Sequence, residues 1–421
     1  MEKYYPLAKV LNIYNYKDYQ EEYRKRFDNY TTYRTGLYIN PIENEKLASH
    51  QEELFIVNIP ELNHLYEEIL ENSRKIDNLV NPMPGVSIHN FVDNILINEL
   101  QSTNEIEGMR STKKEIEDVL SEVKKEKGDN SKRFFGMVKL YNFLSESKNI
   151  KSVEEIRALY DELVSNEIDE KDKLDGDIFR KDPVFVTGGD KIYHIGVTPE
   201  TQIVSKLSKM IAFLDSEVPD LYKYAVIHYF FEYIHPFYDG NGRIGRYLIC
   251  SYLARKLDSL TALTFSYTIN RNKEKYYRSF EETSSILNKG EATFFCIDTL
   301  KIIKKGQETI IEDLETKTNT LDTILDNIQI LYQKNKVNEA KKQVLFILAQ
   351  SWLFKNNNSR VTVMEIADVL KLGRKKVNSI MNEFVEQDFI EITKKRPKIY
   401  NLKAEFADKL KTKKQDWNLK P

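Results

Sequence analysis

Apolar residues recur at helical spacing along most of this chain, and strand-like alternation is confined to short runs. Val92, Ile95, Leu96 and Ile106 trace one helix face that ends at Gly108, a C-cap candidate, and Thr112 with Glu115 opens the next helix as a capping box. Tyr224 to Ile234 is apolar and aromatic, so it predicts a buried helix ending at His235. Tyr247 to Leu257 predicts another, with Leu248, Ile249, Tyr252 and Leu253 at core spacing. Two β-rich runs within Phe179 to Ile195 flank Thr187-Gly188-Gly189-Asp190, a hairpin signal. Further on, Val344 to Phe354 is helical by period and Thr362 to Glu365 is a second capping box, opening Val363 to Leu370. Lys371-Leu372-Gly373 makes a tight turn into a helix over Arg374 to Gln387, with Val377, Ile380, Met381 and Phe384 on one face. Short strands at Phe389 to Thr393 and Ile399 to Leu402 flank Lys394-Lys395-Arg396-Pro397-Lys398. The fold class is mainly α, with one hairpin inside the helical core and an α+β segment near the C-terminal end.

The candidate chemistry lies between the two buried helices, in His235-Pro-Phe-Tyr-Asp-Gly-Asn-Gly-Arg-Ile-Gly-Arg246. His235 is a natural general base, since an unperturbed imidazole titrates near neutrality. Asp239 is a hard oxygen ligand suited to Mg²⁺. Gly240, Asn241 and Gly242 leave backbone N–H groups uncovered, and a helix beginning there would bind an anion. Arg243 and Arg246 are three apart, so on a helix their guanidinium groups share a face and can grip phosphate oxygens. Such a set activates a hydroxyl and stabilises charge on a phosphate. No Walker lysine loop occurs, so a P-loop does not hold the phosphates.

The order His-Pro-Phe-x-Asp-Gly-Asn-Gly-Arg-x-x-Arg resembles the signature of Fic domains, with every specified position present. The resemblance implies a Fic-type helical core with a β-hairpin flap, and transfer of AMP from ATP to a Ser, Thr or Tyr hydroxyl of a target protein. It implies that His235 takes the hydroxyl proton, Asp239 holds Mg²⁺, and the Gly240 to Gly242 backbone with Asn241 cradles the α- and β-phosphates. Arg243 would hold the β-phosphate and Arg246 the γ-phosphate, with Ile244 and Gly245 in the same ATP-binding stretch. Pro236 and Phe237 would shape the loop, and Gly240, where phosphorylating relatives carry Lys, favours nucleotidyl transfer. Upstream, Thr103-x-x-x-Glu107-Gly108 resembles the family's inhibitory pattern, implying that Glu107 pairs with Arg246 and misplaces the phosphates. The same Glu positions a water in relatives that remove AMP, and that reading stays open. The hairpin would align the target hydroxyl. Tyr277, in Asn272 to Tyr277, would meet the adenine, and His228 reads as structural.

The C-terminal succession of helix, helix-turn-helix and basic-tipped hairpin resembles a winged-helix domain. That implies Arg374, Lys375 and Lys376, with Asn378 and Ser379, toward a DNA major groove, and Lys394, Lys395 and Arg396 toward phosphate. Protein contacts alone are the alternative.

Composition narrows the rest. The chain has 421 residues, 41% hydrophobic and 30% charged, enough for real cores in two to three domains. Its net charge of −2 hides an asymmetry: residues 341–421 carry 18 Lys and Arg against 9 Asp and Glu, so the rest is strongly acidic. No apolar run suits a membrane span and the N-terminus lacks a signal-peptide core. Cys250 and Cys296 sit in apolar helical contexts. These features suggest a reduced, cytoplasmic protein, and the Lys, Asn and Ile bias suits an AT-rich bacterial genome. The expected organisation is an N-terminal region (1–90) without legible chemistry, the inhibitory helix and Fic domain (91–310), a helical connector (311–340), a winged helix (341–405) and a basic tail (406–421). The connector is compatible with pairing to a second copy as a homodimer. Two function classes stand: an autoinhibited protein adenylyltransferase using Mg²⁺ and ATP, or a nucleotide-sensing regulator that binds DNA or protein. AMP removal and other nucleotidyl transfer are further alternatives.

Overall fold

The computed structural model describes residues 4–13, 16–125, 132–188, 191–334, 336–354, 362–395 and 398–412. The chain divides into two compact units: residues 1–74 with 96–308, and residues 75–95 with 309–421. The expected boundary between residues 310 and 311 falls inside one helix, Thr293–Gln333. Half of the charged stretch Glu122 to Arg133, the hairpin tip at Gly189 and Asp190, Arg396, and the tail beyond Thr412 lie outside the described residues.

Two central helices organise the first unit. Asp220–Ile234 buries 12 of its 15 residues and Asn241–Lys256 buries 13 of 16, so each is enclosed rather than amphipathic. They pack against each other and hold the 235–240 loop between them. Glu200–Phe213 covers Asp220–Ile234, and Val153–Leu163 lies against both Glu200–Phe213 and Asn241–Lys256. Phe135–Asn142 approaches Val153–Leu163 closely: a Cβ on Gly136 would fall 1.7 Å from the Glu162 carbonyl oxygen. The hairpin is present as strands Phe185–Gly188 and Lys191–Ile195.

The N-terminal region contributes helices and an antiparallel strand pair, Thr32–Ile39 with Glu52–Val57, in register from Thr32↔Val57 to Ile39↔Glu52. A bulge between Arg34 and Tyr38 places Gly36 at φ 67°, and the Glu53 carboxylate accepts its N–H at 2.9 Å. The region is fastened to the core by a buried ion pair, Arg26 Nη1 to Glu291 Oε2 at 2.9 Å, and by Ala292 N to Phe55 O at 2.8 Å. It also reaches the central helices: Asn40 N donates to the Tyr233 hydroxyl at 2.8 Å.

In the second unit, helices Glu339–Phe354, Val363–Leu370, Arg374–Glu386 and Ala404–Lys411 surround a hairpin of Ile390–Lys395 with Lys398–Leu402. Its core includes Val344, Leu348, Ile366, Val377, Met381, Phe384 and Tyr400, and the rings of Phe389 and Phe406 stack at 4.1 Å. Both capping boxes, Thr112 with Glu115 and Thr362 with Glu365, form as their spacing predicts. Among the described residues no helix is long and apolar enough to cross a membrane.

Candidate active site

His235 ends the Asp220–Ile234 helix in the left-handed conformation, φ 52°, its N–H still bonded to Phe231 O at 3.0 Å. A left-handed non-glycine residue needs outside support. Arg180 supplies it. This fully buried guanidinium donates from Nε to His235 O at 2.9 Å, from Nη1 to Asp182 O at 2.6 Å and from Nη2 to Val197 O at 2.8 Å. Burial lowers its pKa to about 10. The His235 Nδ1 lies 3.3 Å from Glu232 O. A carbonyl only accepts, so Nδ1 donates and the lone pair sits on Nε2. Burial foremost, then His194, pushes the His235 pKa down to about 3. The ring is therefore a neutral base at physiological pH. His194, 6.1 Å away between ring centres, donates to Tyr233 O at 2.7 Å and is likewise depressed by burial, to about 4.

The loop is closed from the far side by Asn241. Its Oδ1 accepts from Phe237 N at 2.9 Å and its Nδ2 donates to Phe237 O at 2.8 Å. Its side chain thus holds the loop, and only its backbone is left for an anion, a different use from the phosphate cradle expected of it. Phe237 is buried and stacks on Tyr160 at 4.1 Å. Gly240, at φ 87°, turns the chain into the next helix, whose first internal bond is Ile244 N to Gly240 O at 3.0 Å. The amides of Asn241, Gly242 and Arg243 precede that bond and open the helix, as an anion site requires. Asp239 stands beside them: Oδ1 accepts from Gly240 N at 2.6 Å, and its side chain is 46% exposed.

The two arginines are held by different carboxylates. Arg243 is buried, with Nη1 3.0 Å from Glu167 Oε2 and Nη2 3.4 Å from Asp239 Oδ2. Glu167 also accepts from Phe134 N at 3.0 Å, and its burial raises its pKa against the pull of Arg243. Arg246 turns to the end of the Gly85–Ile106 helix: Nε donates to Thr103 Oγ1 at 2.8 Å, and Nη2 to Thr103 O at 3.2 Å and to Glu107 Oε1 at 2.6 Å. Thr103 and Glu107, four apart in sequence, thus meet one guanidinium. Gly108, at φ 73°, closes this end with Met109 N bonded to Asn104 O at 2.9 Å, a Schellman-type cap. Lys273 Nζ donates to Glu105 O at 2.7 Å and the Tyr277 hydroxyl to Ile106 O at 3.3 Å. Glu107 lies against bare backbone: a Cβ on Gly242 would fall 2.2 Å from its Oε1. An anionic oxygen therefore already sits at the start of the Asn241–Lys256 helix.

His235, Gly242, Arg246 and Glu107 face a cavity of about 680 Å³. Tyr277 also lines it, together with Val186, Thr187 and Tyr193 of the hairpin. Asp239, Gly240, Asn241, Arg243, Ile244 and Gly245 are not on its wall; Ile244 is fully buried in the core. The hairpin is tied across to the Lys273–Ser284 helix by Lys191 and Glu281. His228 is buried between three helices: Nδ1 pairs with Gly245 O at 3.2 Å and Nε2 with the Tyr276 hydroxyl at 2.8 Å. Burial holds its pKa near 3.

Sequence reasoning missed Arg180, Glu167 and Glu232. Glu232 lines the cavity, and burial raises its pKa to about 8, so it is protonated at neutral pH. Gly245 makes room for it, since a Cβ there would lie 2.1 Å from Glu232 Oε1. The signal for Glu232 was available: it is the one carboxylate in the apolar run Tyr224 to Ile234. Arg180 and Glu167 lie 55 and 76 residues from their partners and left no local sign.

Two buried helices joined by a glycine-rich loop, under a hairpin and beside an inserted glutamate, define a helical domain built around one glycine-rich turn. Residues 150–253, which contain that loop and nearly all of both helices, match the sequence model of the Fic/DOC family. The chain thus carries a Fic domain over those residues. Fic domains are known in general for protein AMPylation and other nucleotidyl transfer. Among solved structures, a Fic family protein from Desulfovibrio desulfuricans aligns over 82% of this chain and 97% of its own, at 18% identity and TM-score 0.49. A Fic domain containing signaling protein from Bacteroides thetaiotaomicron aligns over 61% and 97%, at 15% identity and TM-score 0.43. Fic-1 from C. elegans aligns over 60% and 74%, at 16% identity and TM-score 0.41.

Proposed function

We propose that this chain moves AMP from ATP to a Ser, Thr or Tyr hydroxyl of a target protein, and that Glu107 restrains the reaction. One observation carries the reading: a neutral imidazole with its lone pair on Nε2, a helix N-terminus and the Arg246 guanidinium line one cavity, and an internal carboxylate already occupies the anion position there. The Glu107 carboxylate acts as a stand-in for phosphate. Anionic oxygens of ATP fit the same two partners, the amides at Gly242 and the Arg246 guanidinium.

In this mechanism the target hydroxyl enters under the hairpin and gives its proton to His235 Nε2. Its oxygen bonds to the α-phosphorus, the bond from that phosphorus to the bridging oxygen breaks, and pyrophosphate leaves. The amides of Asn241, Gly242 and Arg243 stabilise charge on the phosphoryl oxygens. Arg180 and Asn241 keep the base and the loop in place. Asp239, a half-exposed carboxylate beside the phosphate turn, fits Mg²⁺, which binds through one or two carboxylates plus phosphate oxygens. When bound, the ion supplies charge neutralisation to the polyphosphate.

Inhibition follows from occupancy. While Arg246 bonds Glu107 at 2.6 Å it cannot also receive the terminal phosphate. A charge-assisted hydrogen bond of this kind is worth about 1.5–3 kcal/mol, so removing it frees Arg246 by about ten- to a hundredfold. Glu107→Gly is therefore expected to raise the rate of label transfer from α-³²P-ATP to protein by that factor, and His235→Ala to abolish it. Equal labelling by parent and Glu107→Gly would refute the restraint, and labelling that survives in His235→Ala would refute the base.

A further inference from the structure

We propose that Glu232 selects the triphosphate: once Glu107 has left Arg246, the Glu232 carboxyl donates its O–H to the terminal phosphate of a nucleoside triphosphate. The inference rests on the proposed binding of ATP in this cavity and adds a residue that distinguishes ATP from shorter nucleotides.

Glu232 lies three residues before His235 on the Asp220–Ile234 helix and lines the cavity. Its Oε1 is buried without a hydrogen-bond partner. Among the described residues, no other side chain lining the cavity has a buried polar atom in that state. The hydroxyls of Tyr229, Tyr276 and Tyr277, in the same cavity, are engaged with Ser284, His228 and Ile106 O.

Two glycines fix where the free oxygen lies. A Cβ on Gly245 would fall 2.1 Å from Glu232 Oε1, and one on Gly242 would fall 2.2 Å from Glu107 Oε1 and 2.8 Å from Arg246 Nη1. Gly242 and Gly245 are three apart on one helix, hence on one flank and about a turn, roughly 5 Å, from each other. Two carboxyl groups therefore stand along that flank at the guanidinium that follows Gly245. Arg246 takes Glu107 as its partner, at 2.6 Å.

The groups facing Glu232 are Arg246 from the Asn241–Lys256 helix, Glu107 from beyond the Gly85–Ile106 helix, and Tyr276 and Tyr277 from the Lys273–Ser284 helix. Burial foremost raises the Glu232 pKa, Arg246 opposes the rise and Glu107 adds to it, giving about 8. Burial raises both tyrosines and holds the nearby imidazoles of His194, His228 and His235 at about 4, 3 and 3. Of these groups Glu232 alone changes charge near pH 8. A neutral carboxyl has one O–H to donate. A phosphate oxygen that replaces the Glu107 carboxylate at Arg246 is an anionic acceptor in the same cluster, and such a bond is charge-assisted. An ionised Glu232 would repel it, so the phosphate favours the protonated form. Binding of a triphosphate then takes up a proton wherever free Glu232 is ionised. Affinity is full below the free-state pKa and is lost as pH rises above it.

The test is isothermal titration calorimetry of the full chain in the Glu107→Gly background. The probe is α,β-methylene-ATP, which cannot transfer its α-phosphorus, compared with ADP and AMP. Removing Glu107 takes away one influence that raises the Glu232 pKa, so the free-state value there lies at or below about 8. At pH 8, titrations in two buffers of different ionisation enthalpy should show uptake of about half a proton or more per triphosphate, and none for ADP or AMP. From pH 8 to 9.5 triphosphate affinity should fall about tenfold per pH unit. Glu232→Gln keeps a neutral donor. It should match the highest affinity of its background within about threefold and lose both the proton uptake and the pH dependence. Glu232→Leu removes the donor and should weaken the triphosphate about ten- to a hundredfold while AMP stays within about twofold. The proposal is overturned if the triphosphate binds without proton uptake, if the uptake survives in Glu232→Gln, or if Glu232→Leu keeps the triphosphate-to-AMP affinity ratio. Each of those results leaves nucleotide binding standing. Absence of triphosphate binding by Glu107→Gly itself would instead remove the ATP reading together with this one.

Discussion

Arg180 offers the sharpest test of how the active loop is held. Replacing it with Met removes three donors at once, to His235 O at 2.9 Å, Asp182 O at 2.6 Å and Val197 O at 2.8 Å. At about 1.5–3 kcal/mol for each bond from a charged donor, the gross loss is several kcal/mol. Against it stands relief of a desolvated charge: burial already pulls the Arg180 pKa down to about 10. Returning such a charge to water recovers several kcal/mol, so the net destabilisation should be about 2–4 kcal/mol, tolerable for folding. The kinetic effect should be larger than that suggests. His235 sits at φ 52°, a conformation that its own side chain disfavours by roughly 1–2 kcal/mol. Without the guanidinium on its carbonyl the residue relaxes, and a displacement of about 1 Å costs on the order of a hundredfold in rate. Arg180 is not on the cavity wall, so ATP should bind as before. The assay measures label-transfer kcat and ATP Kd in a Glu107→Gly background, with thermal unfolding alongside. Arg180→Met should lower kcat about a hundredfold while Kd stays within about threefold, and Arg180→Lys should recover part of kcat. A variant that melts earlier but turns over within twofold of its parent would refute the positioning role.

Two further expectations concern protons. Because burial holds the His235 pKa near 3, its base form persists from pH 8 down to pH 5. The kcat/KM of Glu107→Gly should therefore stay level through pH 6.5, and an acid limb centred at 6.5 would show the ring to be solvated. His228 is also depressed to about 3 when folded. Above pH 6.5 both the folded and the unfolded state hold it neutral, and its stabilisation is complete. Below that, the unfolded chain binds a proton the folded chain refuses, so about 1.4 kcal/mol is lost per pH unit, or about 2 kcal/mol by pH 5. In urea unfolding, His228→Asn should trail the parent at pH 7.5 and close the gap by about 2 kcal/mol at pH 5.0. A gap that does not change with pH counts against a buried neutral ring.

The elements that the sequence made legible share one physical property: their determinants lie within about four residues of each other. Both capping boxes follow from Thr and Glu three apart. The Gly108 cap, the Phe185–Gly188/Lys191–Ile195 hairpin and the helix ending at His235 likewise follow from local hydrogen bonds and periodicity. Spacing alone also puts Thr103 and Glu107 on one helix face, and the ordered residues His235 to Arg246 mark the candidate catalytic turn.

Apart from the Glu107–Arg246 pair, which the family resemblance implied, partnership across the chain was decided only by tertiary packing. Nothing near Arg243 indicates Glu167, 76 residues away, and nothing near His235 indicates Arg180. Nor does Asn241 reveal in sequence that its amide closes the loop on Phe237 rather than facing the cavity. The N-terminal residues, which show no chemistry by themselves, turn out to brace Tyr233 through Asn40. The physical reason is desolvation. A short-range hydrogen bond can form whatever the rest of the chain does. A buried charge must find its counterpart among groups that packing alone delivers. The sequence by itself thus determines where this protein's candidate catalytic turn lies, and the tertiary structure decides which groups hold that turn and its Arg243.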